Sequence, residues 1–335
     1  MIDIIHSLIS DICAHFSDRR LQLCELDVAT LEDNRLVLQG KVLDDATLQA
    51  VRHGFEARLP KLQIETSAVC ILRQAAPRLL HVATNLTSLH VQPSWLAEML
   101  SQNTYATTVE QLEEQGRWVL IRQMDGYLGW MYRPYLTEIP APAPTYIVAM
   151  PMTHIHTEPG SDSPISSRLV GGTLVQVVST RGAWAELDAN TWGWAPLADL
   201  RGLDLMPKSL AGRRSAIAND ATRMVGVPYL WGGTSAHGID CSGLAQLLHR
   251  WVGLTIPRDA DLQYQVAKKI EPPFQSGDLL FFGEQNEKRS ITHVGISLGD
   301  WHIVHSSRSR NGVYYDDVQQ VAHLRDTFLG AATFL

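Results

Sequence analysis

The first patterned stretch of the chain places Ile4, Ile5, Leu8, Ile9 and Ile12 at helical spacing, which predicts an amphipathic helix over residues 2–17. Two alternating segments follow, Leu21–Val28 and Arg35–Val42, separated by a turn at Glu32-Asp33-Asn34. Residues 44–59 return to helical spacing, with Asp44 or Asp45 as the N-cap and Pro60 as the stop, and Leu62–Val69 reads as one more strand. The order predicts a small α+β domain over residues 1–75. Further on, short strands recur at close spacing in two similar stretches. Thr87-Ser88-Leu89-His90-Val91-Gln92-Pro93 parallels Thr153-His154-Ile155-His156-Thr157-Glu158-Pro159, and Trp118 and Trp130 parallel Trp184 and Trp194. Such strands predict two small barrels, over 82–139 and 144–203, with Pro140, Pro142 and Pro144 as a stiff link. The first has an insertion, Ser94–Gln102, whose Trp95, Leu96, Met99 and Leu100 read as helical. The paired tryptophans belong to barrel cores, whereas Trp192 has no counterpart.

The last stretch, 208–335, opens with a helical segment, Ser209–Met224, and then loses its periodicity in the Gly-rich run 225–240. Periodicity resumes at Cys241, after which Leu244, Leu247, Leu248 and Trp251 define one buried helical face. Cys241 therefore stands in the first turn of a helix, where unpaired N–H groups and the helix dipole favour an anion. A thiolate is the nucleophilic form of cysteine, so this is a place for chemistry. A small cysteine packing a helix start would occupy the same place, and position alone leaves both readings open. Another helix is expected from Ile256-Pro257-Arg258 onward.

Composition narrows the field. The chain has 335 residues, 45% hydrophobic and 19% charged, which is ordinary for a multidomain globular protein. A net charge of -7 without a Lys/Arg cluster argues against nucleic-acid binding. No run of about 18 apolar residues offers a membrane span, and the N-terminus lacks the basic region and continuous apolar run of a signal peptide. Cys13, Cys24, Cys70 and Cys241 form no C-x-x-C pair, and setting Cys241 aside leaves an odd number. That suits a reducing compartment, and a cytoplasmic location is the expectation. His90, His154 and His156 invite a metal reading, but no third ligand has matching spacing; neither a metal nor another cofactor is expected.

The residues around Cys241 bear a resemblance. Tyr229, Trp231, Gly232 and Gly233 followed by Asp240-Cys241-Ser242-Gly243 resemble the nucleophile motif of the NlpC/p60 superfamily of cysteine peptidases. Thr292-His293-Val294-Gly295-Ile296, Val304-His305-Ser306-Ser307 and Gly277-Asp278-Leu279-Leu280-Phe281-Phe282 are similar to the other motifs of that family, in the same order. The resemblance implies a papain-like α+β catalytic domain over 208–335, two bacterial SH3-like barrels before it, and an activity against murein peptides. Arg35–Val42 is faintly similar to the BON type of domain, and no chemistry is assigned there. By the same resemblance, Cys241 is the nucleophile, His293 its base and His305 the residue that orients His293. Tyr229 is then a second oxyanion donor beside the Cys241 backbone N–H. Asp240, Ser242 and Arg258 become candidates for holding substrate, and Ala260 stands where family members often carry Ser. Resembling recycling enzymes with SH3-like domains imply a γ-D-glutamyl-L-diamino acid endopeptidase acting on free murein peptides, with Lys or diaminopimelate as the diamino acid. Tyr127, in the turn Asp125-Gly126-Tyr127, is expected to cover the cleft beyond an unblocked L-Ala amine paired with Asp240. The rival readings are a wall-binding module with a secondary or dead catalytic domain, and an amidase or acyltransferase on the same fold. Oligomeric state is left open.

Strand parity gives a check that needs no family. In an antiparallel hairpin, a two-residue loop at Gly299-Asp300 puts His293 and His305 on opposite faces. A three-residue loop pairs Gly295 with His305, leaving His293 diagonal to it at about 7–8 Å, within reach of two rings. The pair therefore requires an odd loop or one bulge.

Overall fold

The computed structural model describes residues 2–285 and 289–335. The chain divides into two compact units, residues 1–79 with 109–130, and residues 80–108 with 131–335.

In the first unit, α1 (Ile2–Cys13) precedes β1 (Cys24–Glu32) and β2 (Arg35–Val42), an antiparallel pair. Helix α2 (Asp45–Arg58) then carries the chain across to β3 (Gln63–Ile71), which pairs parallel with β2. A parallel neighbour cannot be reached by a tight turn, so the helix is the crossover. Asp44 caps α2 by accepting from the Thr47 N–H at 3.0 Å. The apolar stripe of α1 (Ile5, Leu8, Ile9, Ile12) is buried against Leu36, Leu38, Val51 and Phe55. Cys13 and Cys24 are joined as a disulfide. This corrects the expectation of unpaired thiols: α1 runs back over the sheet, so two cysteines eleven positions apart meet. The hairpin Thr108–Gln115/Trp118–Arg122 completes this unit, with Glu110 buried and paired to Arg73 at 3.1 Å and Lys41 paired to Glu113 at 2.7 Å.

In the second unit, the segment expected to be a helical insertion is a strand, β4 (Met99–Thr104), paired antiparallel with Leu86–His90. The turn at 94–98 is not helical. Its apolar spacing is also that of a strand edge whose neighbours lie elsewhere in sequence, and backbone pairing with Leu86–His90 decides between them. Seven short strands between Tyr146 and Gly202 form an antiparallel sheet around Val148, Ile155, Leu169, Val175, Ala185, Leu187 and Ala195. Trp118 and Trp194 are buried, and Trp192 is exposed with its indole N–H donated to Glu186. His90 and His156 are buried, each with Nδ1 hydrogen-bonded to a carbonyl, of Ala97 and Ser163 respectively.

The C-terminal part has α3 (Leu210–Arg223), α4 (Cys241–Arg250) and α5 (Ala260–Val266). Its six-stranded antiparallel sheet comprises β5 (Lys268–Ile270), β6 (Leu279–Gln285), β7 (Arg289–Gly299), β8 (His302–Ser307), β9 (Gly312–Asp317) and β10 (Phe328–Thr333), in the order β5-β10-β6-β7-β8-β9. Between β9 and β10 lies a short helix, α6 (Ala322–Thr327). The face predicted for α4 is the buried one: Leu244, Leu247, Leu248 and Trp251 pack with Leu279, Phe281, Val294, Ile296, Val304 and Val313. Each such side chain contributes about 1.5–3 kcal/mol on burial. The sheet of 146–202 is docked on this domain. Arg201 donates to the Trp251 carbonyl at 2.6 Å and to Asp220 at 2.9 Å, and Arg223 donates to the Ala149 carbonyl at 2.9 Å.

Candidate active site

Asp240 ends the Gly-rich loop as the N-cap of α4, with extended backbone, accepting from the Gly243 N–H at 2.7 Å. Cys241 is thus the first helical residue, in the anion-favouring position. It is half-buried, yet burial pushes its thiol up to about 12, with the Asp240 carboxylate acting in the same direction. Backbone N–H groups of Val294 and Ser242 act on the sulfur in the opposite sense, as does Arg258. Val294 is the residue after His293, which places the thiol beside the β7 strand that carries the base.

The loop joining β7 to β8 has two residues, Asp300 and Trp301, with Gly299 opposite His302 and a register shift between Ser297 and Gly299. That shift is the single bulge that parity required, and Ser297 opposite Ile303 extends to Gly295 opposite His305. Asp300 takes φ 47 and Gly299 φ 127, so the glycine absorbs the more severe turn. The two histidines meet, with His293 Nε2 and His305 Nδ1 at 2.7 Å. Burial depresses His293 to about 3, helped by the neighbouring His305 and His323. His305 is lowered too, by burial first, against the opposing pull of Asp316. Burial thus holds Cys241 and His293 each in its neutral form when taken singly. A proton passing from the thiol to the imidazole creates two opposite charges together, each neutralising the other's desolvation cost. Tyr229 lies beside them, and burial, Cys241 and Asp240 push its phenol up to about 12. It keeps its proton at neutral pH and remains a donor, as an oxyanion needs.

Three residues expected to hold substrate are tied to one another beside the nucleophile. The Asp240 carboxylate accepts from Arg258 Nη1 at 3.0 Å and Nη2 at 2.6 Å, from the Gly232 N–H at 2.9 Å, from Ser242 Oγ at 3.2 Å and from Gly243. A carboxylate offers about four lone-pair sites, and these donors hold the Asp240 carboxylate in a fixed orientation beside Cys241. Ser242 Oγ also accepts from Arg258 Nη1 at 2.9 Å, and the Arg258 side chain is only 1% exposed. Tyr127 is buried as well, at 2% exposure, and so is not an ordinary exposed turn residue.

What sequence reasoning missed is β4. Gln102 accepts from the Thr234 N–H at 2.9 Å and from Ser235 Oγ at 3.0 Å, and its carbonyl accepts from Thr234 Oγ1 at 3.2 Å. Ser101 Oγ accepts from Arg258 Nε at 3.2 Å, and Glu98 accepts from the Trp231 indole at 2.7 Å. A side chain at Gly232 would lie 2.3 Å from the Met99 carbonyl, so this approach demands glycine. No sequence signal linked residues 98–102 to the nucleophile loop. Asp316 was also missed. It lies on β9 opposite Ile303, two residues from His305, and its Oδ2 is 2.8 Å from His305 Nε2. Period-two alternation through Tyr314 and Asp316 was the available signal.

A thiol at a helix start, a buried imidazole on the adjoining strand, a second imidazole behind it and a protonated phenol are the parts of acyl transfer through a thiolate. The family model that matches is the NlpC/P60 family, over residues 226–331. Residues 226–331 form an NlpC/P60 cysteine peptidase domain. The chain is 25% identical over 269 residues to a γ-D-glutamyl-L-lysine dipeptidyl-peptidase of Bacillus cereus, covering 72% of this chain and 78% of that protein. It is 29% identical over 213 residues to the protein of the same name from Bacillus subtilis, covering 60% and 69%. The crystal structure of an NlpC/P60 family protein from Bacillus cereus superposes with a TM-score of 0.67 at 20% identity, covering 77% of this chain and 99% of that one, which is a likeness of fold. Within the NlpC/P60 domain, His305→Ala leaves thiol and base in place and removes only the orienting ring. Its expected effect is a fall in kcat on the order of 10²–10⁴-fold with KM little changed, read from steady-state kinetics.

Proposed function

We propose that the protein is a γ-D-glutamyl-L-diamino acid endopeptidase, cleaving the bond between γ-D-Glu and Lys or diaminopimelate in free murein peptides during cell-wall recycling. The β4 strand carries this reading. With Glu98 just before it, the strand stands against the nucleophile loop and Arg258 through Gln102 and Ser101, where it would block one end of a substrate groove to a longer chain. The two relatives named for γ-D-glutamyl-L-lysine dipeptidyl-peptidase activity support the same bond. Residues 82–139 and 144–203 are read as the two SH3-like modules of such an enzyme, the first supplying this wall.

The test is incubation with L-Ala-γ-D-Glu-L-diamino acid peptides and mass-spectrometric detection of the released diamino acid. Peptides with a free L-Ala amine are expected to be cut. Their N-acetylated counterparts, which imitate the acylated L-Ala of intact murein, are expected to react slower on the order of 10²-fold or more, because the wall leaves the acyl group no room. Equal rates on the two would remove the free-peptide reading while keeping the peptidase.

A second reading concerns where the enzyme works. The Cys13–Cys24 disulfide favours an oxidising compartment over the cytoplasm expected from cysteine count. Trapping thiols with an alkylating agent during lysis, then comparing reduced and unreduced masses, separates the two locations.

A further inference from the structure

Behind the two histidines the polar chain continues. Asp316 Oδ2 lies 2.8 Å from His305 Nε2, and Asp316 Oδ1 accepts from Arg310 Nη1 at 2.7 Å. Arg310 is itself laid over the Tyr314 ring, 4.3 Å from its centroid, so its guanidinium is held in place. His305 is buried and Asp316 nearly so, in side-chain terms 2% and 12% exposed.

Donor accounting along this chain allows one arrangement. A carboxylate paired with a guanidinium only accepts, so the proton between Asp316 and His305 sits on His305 Nε2. A neutral imidazole carries one N–H, which leaves His305 Nδ1 as an acceptor. The 2.7 Å contact then requires the proton on His293 Nε2. His293 Nδ1 is left bare, and a bare nitrogen is what a general base requires.

We propose that Asp316 is a positioning residue of the active site, setting the tautomers of His305 and His293 so that Nδ1 of His293 is the base for Cys241, with Arg310 fixing Asp316. In the reaction, the proton on Cys241 Sγ moves to His293 Nδ1 and the sulfur electron pair attacks the scissile carbonyl carbon. When the tetrahedral adduct collapses, the C–N bond breaks and the Nδ1 proton goes to the leaving nitrogen. Asp316 gains no proton at any stage. It offsets the imidazolium charge through His305, against the repulsion of Arg310 and of His323 on α6, the other charged or titratable groups that act on the histidine pair. This deepens the cysteine-peptidase chemistry and does not depend on which peptide is cut.

The test therefore includes a readout without substrate. Iodoacetamide alkylation of Cys241 is followed against pH by mass spectrometry of its peptide, which separates it from the exposed Cys70. Removing a carboxylate lowers the pKa of a nearby imidazolium, so in Asp316→Asn the high-pH limb belonging to that imidazolium moves to lower pH. Alkylation at neutral pH is expected to fall about 10-fold, and kcat about 10- to 100-fold with KM unchanged. Asp316→Glu restores part of both. Arg310→Gln, on an exposed side chain, removes a repelling cation and shifts the limb the opposite way, to higher pH, by less, and supplies the measurement if Asp316→Asn does not fold. A wild-type alkylation profile in Asp316→Asn, or in Arg310→Gln where that variant stands in, overturns the proposal, even if thermal stability drops.

Discussion

Cys241→Ala is expected to abolish turnover, with a loss on the order of 10⁵-fold or more, and His293→Ala to do the same. The two losses are not additive, because thiol and imidazole act as one unit: a base without a nucleophile does nothing, and a buried thiol without its base stays protonated. Burial pushes the Cys241 thiol up to about 12, so in His293→Ala the thiolate is nearly absent at neutral pH. Neither change empties much of the core, since Cys241 and His293 are both half-buried, His293 with its ring beside Phe282. Circular dichroism and the unfolding midpoint should stay close to wild type. Retained hydrolysis in Cys241→Ala would rule out the thiolate mechanism.

The second large effect is on stability. Arg258→Met removes the partner of a buried carboxylate and leaves Asp240 with a charge that only N–H and O–H dipoles answer. Breaking a buried ion pair from one side costs about 3–5 kcal/mol. The pair ties α4 to the start of α5, and through Ser101 to β4, so the nucleophile loop loosens together with its wall. Denaturant unfolding is expected to show this loss, and kcat/KM to fall with it. Asp240→Asn combined with Arg258→Met should recover part of the stability, because the orphaned charge is then gone. If Arg258→Met unfolded at the wild-type midpoint, the Arg258–Asp240 pair would not be the buried anchor described above.

Local pattern alone was enough for much of this protein. The spacing of Leu244, Leu247, Leu248 and Trp251 determines a one-faced helix starting at Cys241, and Asp240 is the residue type that caps it. The Asp44 cap and the turn at Asp33-Asn34 are equally local and appear where the sequence puts them; the α1 stripe does too except for Ile4, which is exposed, and the helix ends at Cys13, short of residue 17. Parity alone narrows the β7–β8 connection to an odd loop or a bulge, because a period of two leaves no other way to bring two histidines to one face. Pairings between distant segments decided the rest. Residues 94–102 carry an apolar spacing that fits a helix, and only pairing with Leu86–His90 makes 99–104 a strand. Asp240 reads locally as a carboxylate free for substrate. Its pairing with Arg258, eighteen residues on, and with the folded-back Gly232 was not legible there. Asp316 reaches His305 because β8 and β9 pair in one particular register, and Cys13 reaches Cys24 because α1 folds over its sheet. Hydrophobic period and capping are properties of neighbours along the chain. Which acceptor a donor finds, and which charge a carboxylate meets, depends on packing that brings remote segments together.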